Sequence, residues 1–204
     1  MGSLTDILLF LVVLLVSVSL HEMMHAYIAL KLGDDLAHSH GRISLNPFQH
    51  IDPFLSIGLP AILLLLGQPP ILAAKPVPIN TSRIKGEEMG LALVGISGPL
   101  TNLALAFVAG TLLNVLTFSG VGLVLIELFI VINVSLFVFN MLPIPPLDGS
   151  RVLYAFAPAP LQQVMRQIEQ FGIIGLVIIL LIAMPVIGPI LTTVRTFILN
   201  LVVF

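Results

Sequence analysis

The chain has 204 residues, 58% of them hydrophobic and 9% charged, with a net charge of −2 and no cysteine. A soluble domain carries about 25% charged residues to cover its surface, so an ordinary soluble protein, a disordered chain and a coiled coil are all excluded. The near-neutral balance excludes a nucleic-acid binder, and the lack of thiols leaves His, Asp, Glu and backbone oxygen as the available metal ligands.

The first apolar run, Leu4 to Leu20, is too long for a secretory leader. It follows a start without Lys or Arg and has no A-x-A site. It reads as part of a retained spanning helix ending near Lys31 and Gly33. A polar stretch from Gly33 to Asp52 follows, and Gly41 to Pro47 within it predicts a short strand closed by an Asn-Pro turn. His38, His40 and His50 lie in the same stretch without a ligand template and read as solvated loop histidines.

The next apolar block, Phe54 to Ala74, is broken by Pro60, Gly67, Pro69 and Pro70, and its clean part, Ile57 to Leu66, is too short for a span of ~20 residues. If the block crosses once, Lys31 and Arg42 lie on one face and Lys75, Arg83, Lys85, Arg151 and Arg166 on the other. If it enters and returns, all seven lie on one face. The positive-inside rule favours the return.

Two long spans follow, Met89 to about Thr117 and Val121 to Leu142. Pro143, Pro145, Pro146 and Gly149 end the second. The mixed segment with Arg151, Gln162, Arg166 and Glu169 reads as a surface helix. Two last spans are expected at Phe171 to Met184 and Pro189 to Phe204. Glu127 and Arg195 fall at similar depth, which is open to two readings: an ion pair between their helices, or snorkelling or exposure to a polar crevice. The fold class is an all-α polytopic membrane protein of about five to six transmembrane helices, with a short strand or re-entrant element after the first. It forms one domain over 1–204, N-terminus outside and C-terminus cytoplasmic.

The chemistry begins at His21-Glu22-Met23-Met24-His25, an H-E-x-x-H sequence. Two His four residues apart share a helix face and can hold one zinc. The Glu between them can reach a water on that metal. With five His and five Glu in the chain, chance gives roughly 0.003 such matches. The motif lies within an apolar helix, where a charge at the bilayer centre costs at least ~2.5–3.5 kcal/mol. A third ligand is needed, and the carboxylates in or beside apolar segments are Asp6, Asp52, Glu127 and Asp148. Asp148 stands out, because it follows a proline-broken segment whose freed backbone groups are costly in lipid unless they line a site. The bland alternative is a helix cap.

With these motifs the chain resembles the site-2 protease family of intramembrane zinc metalloproteases, in its small branch without a PDZ domain. His21, Glu22 and His25 match its H-E-x-x-H. Leu147-Asp148-Gly149 matches its L-D-G, Asn140 opens its N-x-x-P-x-P, and Gly98-Pro99-Leu100-Thr101-Asn102 matches its G-P-x-x-N. The resemblance covers about 4–151 and leaves the C-terminal helices, about 161–204, outside. It implies one zinc on His21, His25 and Asp148, with Glu22 as general base. Asn140 is a candidate for a hydrogen bond to the substrate backbone or oxyanion, or for a local cap. Asn102 is expected to cap or bridge helices near the site, and Gly98-Pro99 to mark an irregular helix start. The implied partners are a transmembrane protein or peptide substrate and the lipid bilayer, with no nucleotide or nucleic acid. Cleavage is expected near the cytoplasmic side, with the Gly41–Pro47 strand pairing with an unwound substrate. Gly95-Ile96-Ser97-Gly98 also resembles the serine motif of rhomboid proteases, but no His follows His50 to serve as base.

Overall fold

A computed structural model describes residues 4–52, 58 and 75–203. Among them are seven helices and no strand. Four helices are long and apolar enough to cross a membrane: α1 (Leu4–Lys31), α3 (Glu87–Val115), α4 (Gly120–Asn140) and α7 (Gly172–Val203). Between them lie short α2 (Leu36–Ser39) and the surface helices α5 (Asp148–Phe156) and α6 (Ala159–Glu169). Arg151 of α5 forms an ion pair with Glu169 at the end of α6.

α3 is the central element and packs against α1, α4, α5 and α7. Its Ala106 and Ala109 meet Ile130, Val134 and Val138 of α4 and Val202 of α7. On the other flank, Val13 of α1 packs on Leu128 and Ile132 of α4. Small residues on α3 let the backbones approach closely, which drives helix association where lipid is as apolar as the side chains.

α1 ends as its sequence predicts. Gly33 takes φ +106°. Its N–H donates to Leu30 O (3.1 Å), and Asp34 N–H donates to Ala29 O (2.9 Å). This paired closure satisfies carbonyls a helix end otherwise leaves open.

The connector after α1 departs from expectation. Gly41–Pro47 is turn and bend rather than strand. Asn46 accepts from Phe48 N–H (3.1 Å) and so caps a single 3₁₀ turn at Pro47–Gln49. The Arg42 side chain, 4% exposed, donates to Gln49 O and to Lys75 O and Pro76 O, both at 2.6 Å. His50 is also buried rather than solvated. Lys75 N–H donates to His50 O (2.9 Å), so the chain on either side of 51–74 meets at one point. The apolar block 54–74, and with it the choice between crossing and returning, lies outside the described residues apart from Gly58.

Two further expectations are corrected. The spans at 171–184 and 189–204 are one helix, with Pro185 and Pro189 inside it. Proline in a membrane helix need not end it, because neighbours and local adjustment can satisfy the freed carbonyls. At 32 residues it is ~48 Å long. Gly98-Pro99 likewise does not start a helix: Pro99 sits inside α3. Of the two readings of Glu127 and Arg195, exposure is the one found: both are exposed on their helices, and the ion pairs among the described residues do not include them.

Candidate metal centre

α1 carries His21 and His25 on one face, both buried. They point inward at α3. Their Nε2 atoms lie 3.0 Å apart. Asp148, in the first turn of α5, places Oδ2 3.1 Å from His21 Nε2 and 3.4 Å from His25 Nε2. Among the described residues this is the group of His, Asp and Glu whose donor atoms converge, all within 4.8 Å of one another. Asp6, Asp52 and Glu127 do not join it.

The arrangement fits a tetrahedral zinc. Two imidazole nitrogens at ~2.0–2.1 Å from one ion stand about 3.3 Å apart, close to the separation found. Each ring turns its other nitrogen to an acceptor, as ligating histidines do. His21 Nδ1–H donates to Asn102 Oδ1 (2.5 Å), and His25 Nδ1–H donates to Val94 O (2.8 Å). Both Nε2 lone pairs are thereby left facing Asp148. Gly98 supplies the floor. A Cβ there would lie 2.4 Å from His25 Nε2 and 2.7 Å from His21 Nε2, so only hydrogen leaves the space between the donors open.

Asp148 is placed by the broken segment before it. The chain turns through Met141–Leu147 and comes back so tightly that a Cβ at Gly149 would meet Met141 O at 2.3 Å. The Asp148 carboxyl makes no cap for α5 and is spent on the histidines.

A cavity of about 390 Å³ adjoins the three donors. Glu22 lines it, as does Asn140, which also donates from Nδ2 to Leu136 O (2.9 Å). The far wall comes from Pro76, Val77 and Ile79 of the connector, and Arg151 also reaches it. Non-helical backbone therefore does adjoin the centre, but at 75–80 rather than at 41–47. Ser97 is not poised as a nucleophile: its hydroxyl is buried and donates to Val94 O (2.6 Å).

Asn102 of α3 is fully buried and hydrogen-bonds to His21 and Ser17 of α1. Two residues that the sequence reading passed over complete its surroundings. Asn102 Nδ2 donates to Asn133 Oδ1 (2.8 Å), and Asn133 Nδ2 donates to Ser17 Oγ (2.9 Å). A wholly buried Asn in the apolar run of α4 was the available signal, since polar groups at membrane depth are costly without partners.

Comparison with known proteins places these features. Residues 119–184 match the model of Peptidase family M50; that stretch holds Asn140 and Asp148, while His21-Glu22-x-x-His25 lies before it. The chain is 35% identical over 201 residues to "Putative zinc metalloprotease YwhC" of Bacillus subtilis, covering 93% of this chain and 89% of that protein. It is 31% identical over 170 residues to "Putative zinc metalloprotease Rip2" of Mycobacterium tuberculosis, covering 82% of this chain and 64% of that one. No solved structure gives a significant match.

Proposed function

The chain belongs to peptidase family M50, the site-2 protease family of zinc metalloproteases, and we propose that it hydrolyses peptide bonds within or beside membrane-spanning segments of other proteins. The observation that carries this is the His21–His25–Asp148 cluster with Glu22 beside it on a cavity walled by membrane helices. His21, His25 and Asp148 hold one zinc. Bound there, zinc supplies a Lewis acid that makes a water acidic and polarises the scissile carbonyl. Glu22 takes the proton of the attacking water and passes it to the leaving amine. Asn140 has a second amide N–H beyond the one given to Leu136, and offers it to the substrate backbone or the developing oxyanion. The non-helical segment 75–80 gives a backbone edge beside the cavity for an unwound substrate to lie along.

The N-terminus lies outside and the centre opens toward the cytoplasm, where the loop residues Lys31, Arg42, Lys75, Arg83, Lys85, Arg151 and Arg166 gather. The meeting of His50 and Lys75 supports a common face for these two residues. With α7 a single helix, the chain then ends on the outer side, not in the cytoplasm as five spans require.

The test pairs proteolysis with metal content. Wild type in detergent cleaves a single-span substrate and holds about one zinc. Glu22→Ala keeps the zinc and loses ~10²–10⁴-fold in rate; Asp148→Ala loses both. A wild type that binds zinc but cleaves no membrane substrate, while moving metal ions across liposomes, would falsify the protease reading in favour of transport.

A further inference from the structure

We infer that Asn133, with Ser17, is a positioning residue for His21: it fixes which way the Asn102 amide points, and so which ring nitrogen of His21 faces the metal. The inference rests on the zinc reading above.

The geometry runs as a chain of donors and acceptors through three helices. Asn133 Nδ2 donates to two groups, Ser17 Oγ (2.9 Å) on α1 and the carbonyl of Phe129 (2.9 Å) on its own helix. A backbone carbonyl only accepts. The end of the Asn133 side chain that meets Phe129 O is therefore the NH₂ end, and its Oδ1 must face Asn102. That oxygen accepts from Asn102 Nδ2 (2.8 Å), and the same nitrogen also donates to the Ser17 carbonyl (3.3 Å). The Ser17 carbonyl thus supports the same orientation through the longer of the two bonds. With its NH₂ held on two acceptors, Asn102 has only Oδ1 to offer His21. His21 must then carry its proton on Nδ1, which donates to that oxygen. Nε2 is left with a free lone pair, 3.1 Å from Asp148 Oδ2 and facing His25.

An Asn102 turned the other way would present NH₂ to Nδ1, draw the proton to Nε2 and block ligation. Asn102 and Asn133 are both 0% exposed, and besides Asn133 the Asn102 NH₂ is held by the Ser17 carbonyl at 3.3 Å, so the loss of Asn133 leaves the weaker of the two restraints. Asn133 is remote from the cavity wall. It acts on the metal only through Asn102.

The experiment measures the zinc dissociation constant of the full-length protein in detergent, by competition with a chelator, together with the visible spectrum of the cobalt(II)-loaded form. Asn133→Leu keeps the volume and removes the relay. It is expected to weaken zinc about 10- to 100-fold and to change the cobalt bands, which report the ligand set. Ile130→Ala, one turn earlier on the same buried face, is the structural control: it lowers the melting temperature but leaves zinc affinity and the cobalt spectrum as in wild type. Ser17→Ala removes one acceptor of Asn133 with little change in volume. It gives a smaller loss of affinity and decides the matter if Asn133→Leu does not fold. Zinc affinity and cobalt spectrum unchanged in the folded variants overturns the inference while leaving the protease reading intact. A wild type that binds no zinc overturns both.

Discussion

α3 and α7 are both long apolar helices, yet they occupy opposite environments. The more apolar is the more exposed. α7 has a mean hydropathy of 2.8 over its best stretch with 11% of that stretch buried, while α3 has 1.8 with 44% buried. In water the order would be reversed. In lipid the outside is as apolar as any core, so the interior is marked instead by small residues and satisfied polar groups. Gly98, Ser97, Pro99 and Asn102 make α3 less hydrophobic and make it the helix against which the two histidines of α1 pack.

Glycines on the two helices measure the difference. Gly98→Ala should have the largest effect, because the added methyl enters the space between the two Nε2 atoms. Zinc and cleavage should fall together by more than ~100-fold; metal analysis beside a cleavage assay checks this, and retained zinc would place the ion elsewhere. Gly110→Ala, where α3 touches α7, comes next. Its Cβ would sit 2.2 Å from the Val202 carbonyl, an overpacking worth ~1–3 kcal/mol. It should lower the thermal midpoint while zinc content stays near wild type. Gly188→Ala within α7 meets nothing within 4 Å. It should leave cleavage unchanged and shift stability by no more than ~1 kcal/mol, toward the more stable side. A large loss there would mean that this face of α7 is covered by protein.

The spanning helices α1, α3 and α4 were legible to within a few residues, because apolar length and a capping glycine dictate them. The convergence of His21, His25 and Asp148 was legible, because two His four apart share a helix face and a broken segment marks the carboxylate. Three features were not. Pro185, Gly188 and Pro189 read as a break, since a proline signal does not tell a helix in lipid from one in water. The alternation in Gly41–Pro47 read as a strand, but Arg42 reaches across sequence to Lys75 and Pro76, a long-range contact no local pattern reveals. Asn133 and Ser17 had no motif, because their role depends on α1, α3 and α4 meeting.

The clamp by Arg42 has an architectural consequence. It holds the two ends of a long stretch at one point, beside the wall that carries Pro76, Val77 and Ile79. One guanidinium is therefore the hinge pin of the chamber: where that wall stands is decided by carbonyls at 49, 75 and 76 gathered on residue 42, which lies outside any helix.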